Sequence, residues 1–166
     1  MESRGYSILG SSSCVTWFEV GGFIGMLLAG WLSDKFYKGK RGPINLIFSM
    51  GVALSVVLLY FYKGGWLLMD SAIIFMVGFF VFGPQMLIGL TAAELSHKNA
   101  TGAATGFVGW FAYIGAAIAG WPLGVVIQKF GWNGFFVVMM VCGMASALLF
   151  LPLCSERVKQ KQLSLS

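Results

Sequence analysis

Apolar residues run along this chain in long stretches separated by short polar connections. Five stretches are long enough to cross a bilayer core, which takes about 20 mostly apolar residues. They are Cys14–Leu32, Pro43–Tyr62, Trp66–Leu90, Gly102–Ile127 and Gly134–Cys154. The pattern predicts an all-α, polytopic membrane protein of five transmembrane helices. Residues 1–13 read as an outer loop or tail, 14–154 as the helical membrane part and 155–166 as a basic tail. Little chain is left for a soluble domain.

The connections carry their own signals. Trp17 and Trp31 sit near the two ends of the first span, about 21 Å apart at helical rise, where indole rings favour the membrane interfaces. Pro43 follows Gly42 at a natural first-turn position of the second span. Lys63-Gly64-Gly65 reads as a tight turn, and Gly131 to Gly134 closes another. In ELSHKNAT, Asn99 or Thr101 is the expected cap of the fourth span.

Small residues on one face mark where helix backbones meet in lipid, because lipid cannot drive helices together by the hydrophobic effect. In the fourth span Gly102, Gly106, Gly109, Ala116, Ala117, Gly120 and Gly124 form one narrow stripe, with Tyr113 in its middle. A phenol among glycines either faces a cavity or fills a groove on a neighbouring helix. In the third span Pro84 cannot donate to the carbonyl of Phe80, so the helix should kink or find that oxygen another partner. Phe82, Gln85 and Gly89 share a face with Gly78. Gln85 is expected to face inward, toward a cavity or an interhelical hydrogen bond. Glu19 reads as the one acid inside a span and away from its end, on a face with Gly22, Gly25 and Ala29. It is either a functional group or an interfacial acid favoured by the helix N-terminus.

Composition agrees with the pattern: 58% of residues are hydrophobic and 10% charged, a balance foreign to the surface of a soluble domain. The N-terminal MESRGYSILGSSS has no sustained apolar core before the first span and does not read as a cleavable secretion signal. The net charge of +5 does not point to nucleic acid, because the basic residues sit in the connections and not on one face with interleaved aromatics. Lys35, Lys38, Lys40, Arg41, Lys98, Arg157, Lys159 and Lys161 fall on one side of the five crossings; Arg4, Lys63 and Lys129 fall on the other. The positive-inside rule then puts the first connection and the C-terminus in the cytoplasm. Every cation lies at or outside a span end, so none is expected at the bilayer midplane. Cys14, Cys142 and Cys154 lack metal-ligand spacing, His97 is alone in a connection, and no catalytic set emerges. No enzyme, metal or cofactor is expected.

GWLSDKFYKGKRGP places four of the eleven basic residues between two apolar runs. Asp34 at the C-terminal end of a helix opposes the local dipole and should seek a partner: Lys35 or Arg41 nearby, or a helix start across an interface. The loop is either a plain topogenic signal or a latch for one access state. Gly30, Asp34, Lys35 and Arg41 resemble the cytoplasmic loop motif of the major facilitator superfamily. The spacing through Phe36, Tyr37 and Lys38 to Gly39 resembles its organophosphate:phosphate antiporter family. FVFGPQMLIG, AAELSHKNATGAATGFVGWFAYIGAAIAGWPLG and GWNGFFVV are similar to the hexose-phosphate branch, transporters and transporter-like sensor alike.

This resemblance implies a twelve-helix fold of two six-helix halves with the substrate between them, of which this chain would supply helices eight to twelve. The two arginines that grip phosphate in the family lie on helices outside this sequence. Tyr113 stands where the family has a cavity tyrosine, and Glu19 where it has an acid thought to pair across the halves. Phe82 replaces a tyrosine of the glycerol-phosphate branch, which argues against that smaller substrate. The expected function is the C-terminal part of a hexose-phosphate transporter, exchanging glucose 6-phosphate for inorganic phosphate by alternating access in the inner membrane. A sensor of external hexose phosphate, or a truncated product inactive on its own, are the alternatives. The implied partners are the bilayer, sugar phosphate, inorganic phosphate and the missing N-terminal half.

Overall fold

The computed structural model describes residues 8–37, 40–62 and 66–151. Lys38, Gly39, Arg4, the turn at 63–65, Cys154 and the basic tail fall outside the described residues. The described residues form four continuous helical runs: α1 (Ile8–Tyr37), α2 (Arg41–Phe61), α3 (Leu67–Leu95) and α4 (Thr101–Phe150). All four are long and apolar enough to cross a membrane. Three boundaries differ from the spans expected from hydropathy. α1 starts earlier and runs on to Tyr37, and α3 continues to Leu95. Polar residues just beyond an apolar run remain helical in both cases, since hydropathy marks the greasy part of a helix and not its hydrogen-bonded ends.

α4 carries the last two expected helices in one run, interrupted at Gly131. A straight 50-residue helix would measure about 75 Å, more than twice the ~30 Å hydrocarbon core. Gly131 interrupts it with φ 66° and ψ −166°, a conformation that only glycine adopts freely. The chain doubles back there. A Cβ on Gly134 would lie 3.0 Å from Cγ1 of Val126, a pair about 12 Å apart in a straight helix. α4 therefore has two arms, 101–130 and 132–150, joined at the expected turn but without a connection long enough to separate them.

The expected cap of α4 is also corrected. Ala100 occupies the cap position without a side-chain bond, and Thr101 Oγ1 donates back to the carbonyls of His97 (3.4 Å) and Lys98 (3.3 Å). Pro43 does lie in the first turn of α2, and α3 runs unbroken through Pro84.

Glycine sets how closely α1, α2 and α3 pack. Gly21 and Gly25 lie directly against the backbone of Phe75 and Phe79, and Gly78 answers against the backbone of Phe18. No Cβ fits at these points, so α1 and α3 touch main chain to main chain. α2 meets α3 differently: the ring of Phe48 occupies the notch at Gly83, and the ring of Phe80 the notch at Gly51. Phe48 stacks on Phe79 at 5.5 Å and meets Phe80 edge-on at 5.6 Å. Ala29, Ile44, Phe48 and Leu87 are the buried apolar centre of this trio. The 132–150 arm of α4 lies along α2, with Ala53 3.5 Å from where a Cβ on Gly143 would be and Phe136 against Tyr60 at 6.3 Å between ring centres. The 101–130 arm buries no residue at all.

Candidate functional site

The α1–α2 connection and the end of α3 meet at one end of the bundle. Ser33 Oγ donates to the carbonyl of Lys40 at 3.2 Å, and the Lys40 amide donates to the carbonyl of Tyr37 at 2.9 Å, so the connection folds tightly over α1. Arg41 then opens α2 with its side chain only 9% exposed. Its guanidinium divides between two helices. Nη1 donates to Asp34 Oδ1 at 2.6 Å on α1, and Nη2 donates to Glu94 Oε1 at 2.7 Å on α3. One cation thus ties the ends of three helices.

Both acids stand near helix C-termini, where the macrodipole disfavours negative charge, and the guanidinium relieves both. The carboxylates are 65% and 46% exposed, so each pair alone contributes little, about 0.2–1 kcal/mol. The buried cation changes that balance, because removing both acids leaves it sealed without countercharge. Lys35, the other basic residue of the motif, does not join the cluster: its Nζ lies over the Trp31 ring, 4.4 Å from the centroid. Gly30 is part of the packing beneath, with Met86 Cε 3.2 Å from where its Cβ would be.

Glu94 was not singled out from the sequence. The signal was present, since an acid in the last turn of a helix calls for a cation just as Asp34 does. It was hidden by ending the third span at Leu90. Asp70 was also not singled out: it is 1% exposed in the first turn of α3, at the end of that span. That position favours a carboxylate through the helix N-terminus. Beside it Ser71 Oγ lies 3.6 Å from the buried Cys14 Sγ.

The candidates from the middle of the spans are not joined to each other. Glu19 and Gln85 are exposed on α1 and α3, and Tyr113 is 79% exposed on the first arm of α4. No hydrogen bond links these three among the described residues. Glu19 borders the buried face of Gly22, Gly25 and Ala29 instead of lying within it, because about 100° per residue carries it to the edge of that stripe. Phe82 packs into the notch at Gly22 and against Phe18, 5.4 Å between ring centres. Pro84 is buried. Gly102, Gly106, Gly109, Gly120 and Gly124 have nothing within 4 Å of a built Cβ. The close approach expected along that stripe is not made among the described residues.

The sequence profile described as Major Facilitator Superfamily matches residues 1–165. A probable hexose phosphate transport protein of Chlamydia trachomatis is 54% identical over 155 residues, which cover 92% of this chain and 34% of that relative. The membrane sensor protein UhpC of Escherichia coli is 52% identical over 160 residues, 96% of this chain and 36% of that protein. A glycerol-3-phosphate transporter of Bacillus subtilis is 38% identical over 153 residues, 92% of this chain and 34% of that protein. The chain spans about a third of the length of these relatives. With the loop motif folded into a three-helix clasp and the profile matched almost end to end, the chain belongs to the major facilitator superfamily, in its organophosphate:phosphate antiporter family.

Proposed function

We propose that this chain is the C-terminal part of a hexose-phosphate transporter, one that exchanges glucose 6-phosphate for inorganic phosphate by alternating access. The two arms of α4 cross the membrane separately, so the chain makes five crossings, with the Arg41 end and the C-terminus in the cytoplasm of an inner membrane. The observation that carries the reading is the open face of the 101–130 arm. Its glycines touch nothing and its Tyr113 projects from the bundle, as expected where further transporter helices pack and where a cavity lies between them.

The placement of charge supports the same reading. All described lysines and Arg41 lie at helix ends, so a phosphate held at the midplane needs a cation from outside this chain. Glu19, Gln85 and Tyr113 then line the chain's side of the path, while Phe82 and Pro84 support it from behind. Asp34, Arg41 and Glu94 work as a clasp that holds one access state and loosens in the other.

A second reading rests on a specific likeness, the 52% identity to the UhpC membrane sensor. In it the same helices bind sugar phosphate and signal without flux. One experiment separates the two. This chain replaces the matching third of the Chlamydia trachomatis protein, and the chimera is reconstituted in phosphate-loaded vesicles. Exchange of radiolabelled glucose 6-phosphate supports transport, and binding without exchange supports sensing. Tight binding by this chain alone overturns both, because it would require a cation these helices do not place at the midplane.

A further inference from the structure

Among the described residues, two buried side-chain polar atoms lack a hydrogen-bond partner: Nε of Arg41 and Oδ1 of Asn45. The first is a donor and the second an acceptor. They belong to residues four apart on α2, and side chains at that spacing stand one above the other on the same helix face. Asn45 is 1% exposed, on the face that also buries Ile44, Phe48 and Ser49. Two orphans of opposite sense, each sealed from water and four residues apart in the first turns of α2, are chemically complementary. A single water accepting from Nε and donating to Oδ1 satisfies both.

We infer that Asn45 is a positioning residue for Arg41, its Oδ1 taking the guanidinium Nε–H through one bridging water. The inference rests on the clasp proposed above and explains a feature of its geometry. A guanidinium paired with a carboxylate favours two parallel bonds to the same group. Here it gives one bond to Asp34 and one to Glu94. Anchoring the third nitrogen fixes the plane of the fork, directing Nη1 to α1 and Nη2 to α3. Without that anchor the guanidinium is free to turn and pair with one acid in bidentate fashion, releasing the other helix.

The test uses the whole chain in detergent micelles, labelled with nitrogen-15 at arginine alone. Three arginines give three Nε–H signals, and Arg41→Lys identifies the one sought. Its exchange with water is expected to be about fivefold slower, or more, than that of free arginine in the same micelles, the worth of one net hydrogen bond. Asn45→Leu should abolish the protection, and Asn45→Asp, which keeps the acceptor, should retain it. Should leucine prevent folding, Asn45→Ala gives the same readout. Protection that survives Asn45→Leu or Asn45→Ala, or is lost equally in Asn45→Asp, overturns the inference. The clasp itself is judged separately: Asp34→Asn with Glu94→Gln should change exchange rates in the chimera whether or not Nε is protected.

Discussion

The trio α1–α3 and the first arm of α4 use the same residue type to opposite effect. In the trio, Gly21, Gly25 and Gly78 bring two backbones into contact, and Gly51 and Gly83 receive phenylalanine rings. In the 101–130 arm an equally regular set of glycines lies bare. Lipid tails are as apolar as the side chains, so neither set is buried by a hydrophobic driving force. What separates them is whether a partner surface of matching shape lies among the described residues. A small-residue stripe therefore states that a helix can be approached closely, and says nothing of what approaches it.

The largest test of that contrast substitutes a glycine in each set. Gly25→Leu forces a side chain into the backbone of Phe79 and is expected to cost about 3 kcal/mol or more, at or above the usual range for overpacking. Gly109→Leu in the same chain should stay within about 0.5 kcal/mol, as for an open surface site. Thermal unfolding of the purified chain in detergent compares them, and equal losses would erase the distinction between the two regions. In the chimera the contrast should vanish, with Gly109→Leu also impairing exchange.

A smaller effect is expected at the clasp. Asp34→Asn with Glu94→Gln strands a buried cation and should destabilise the chain by about 1–3 kcal/mol, between the worth of exposed and buried pairs. Either substitution alone should cost under about 1 kcal/mol, since the other acid remains. A double variant no worse than the singles would show that the guanidinium needs neither acid. In the chimera, Asp34→Asn should alter the exchange rate more than sugar-phosphate affinity; equal changes in both would argue against a latch. The smallest stability effect belongs to Tyr113→Ala, within about 0.5 kcal/mol in the isolated chain because the ring packs on little. The same change should raise the chimera's KM for glucose 6-phosphate about fivefold, the value of one hydrogen bond. Unchanged KM would return Tyr113 to helix packing.

The helical class, the membrane location and the polar ends were legible because each depends on local quantities: the length of an apolar run, a proline in a first turn, a cluster of lysines. Arg41 was legible as one of several candidate partners of Asp34, beside Lys35 and a helix start across an interface, since it is near along the chain. Glu94 was not, because its partner is distant in sequence and an acid at a helix end reads as a solvated terminus. Asp70, in the first turn of α3, likewise reads as a solvated terminus although it is buried. Asn45 carried no signal, as its meaning arises only when its oxygen and the Arg41 Nε are both sealed from water.

Sequence alone determined that these helices belong in a bilayer, that their cations lie at the ends and that several faces are smooth enough for close contact. These follow from transfer energies and helical periodicity, which act residue by residue. Only the tertiary structure decided which smooth face is occupied and that one guanidinium bridges three helices. Those outcomes depend on shape and distance between segments far apart in the chain, and no local pattern encodes which surfaces will meet.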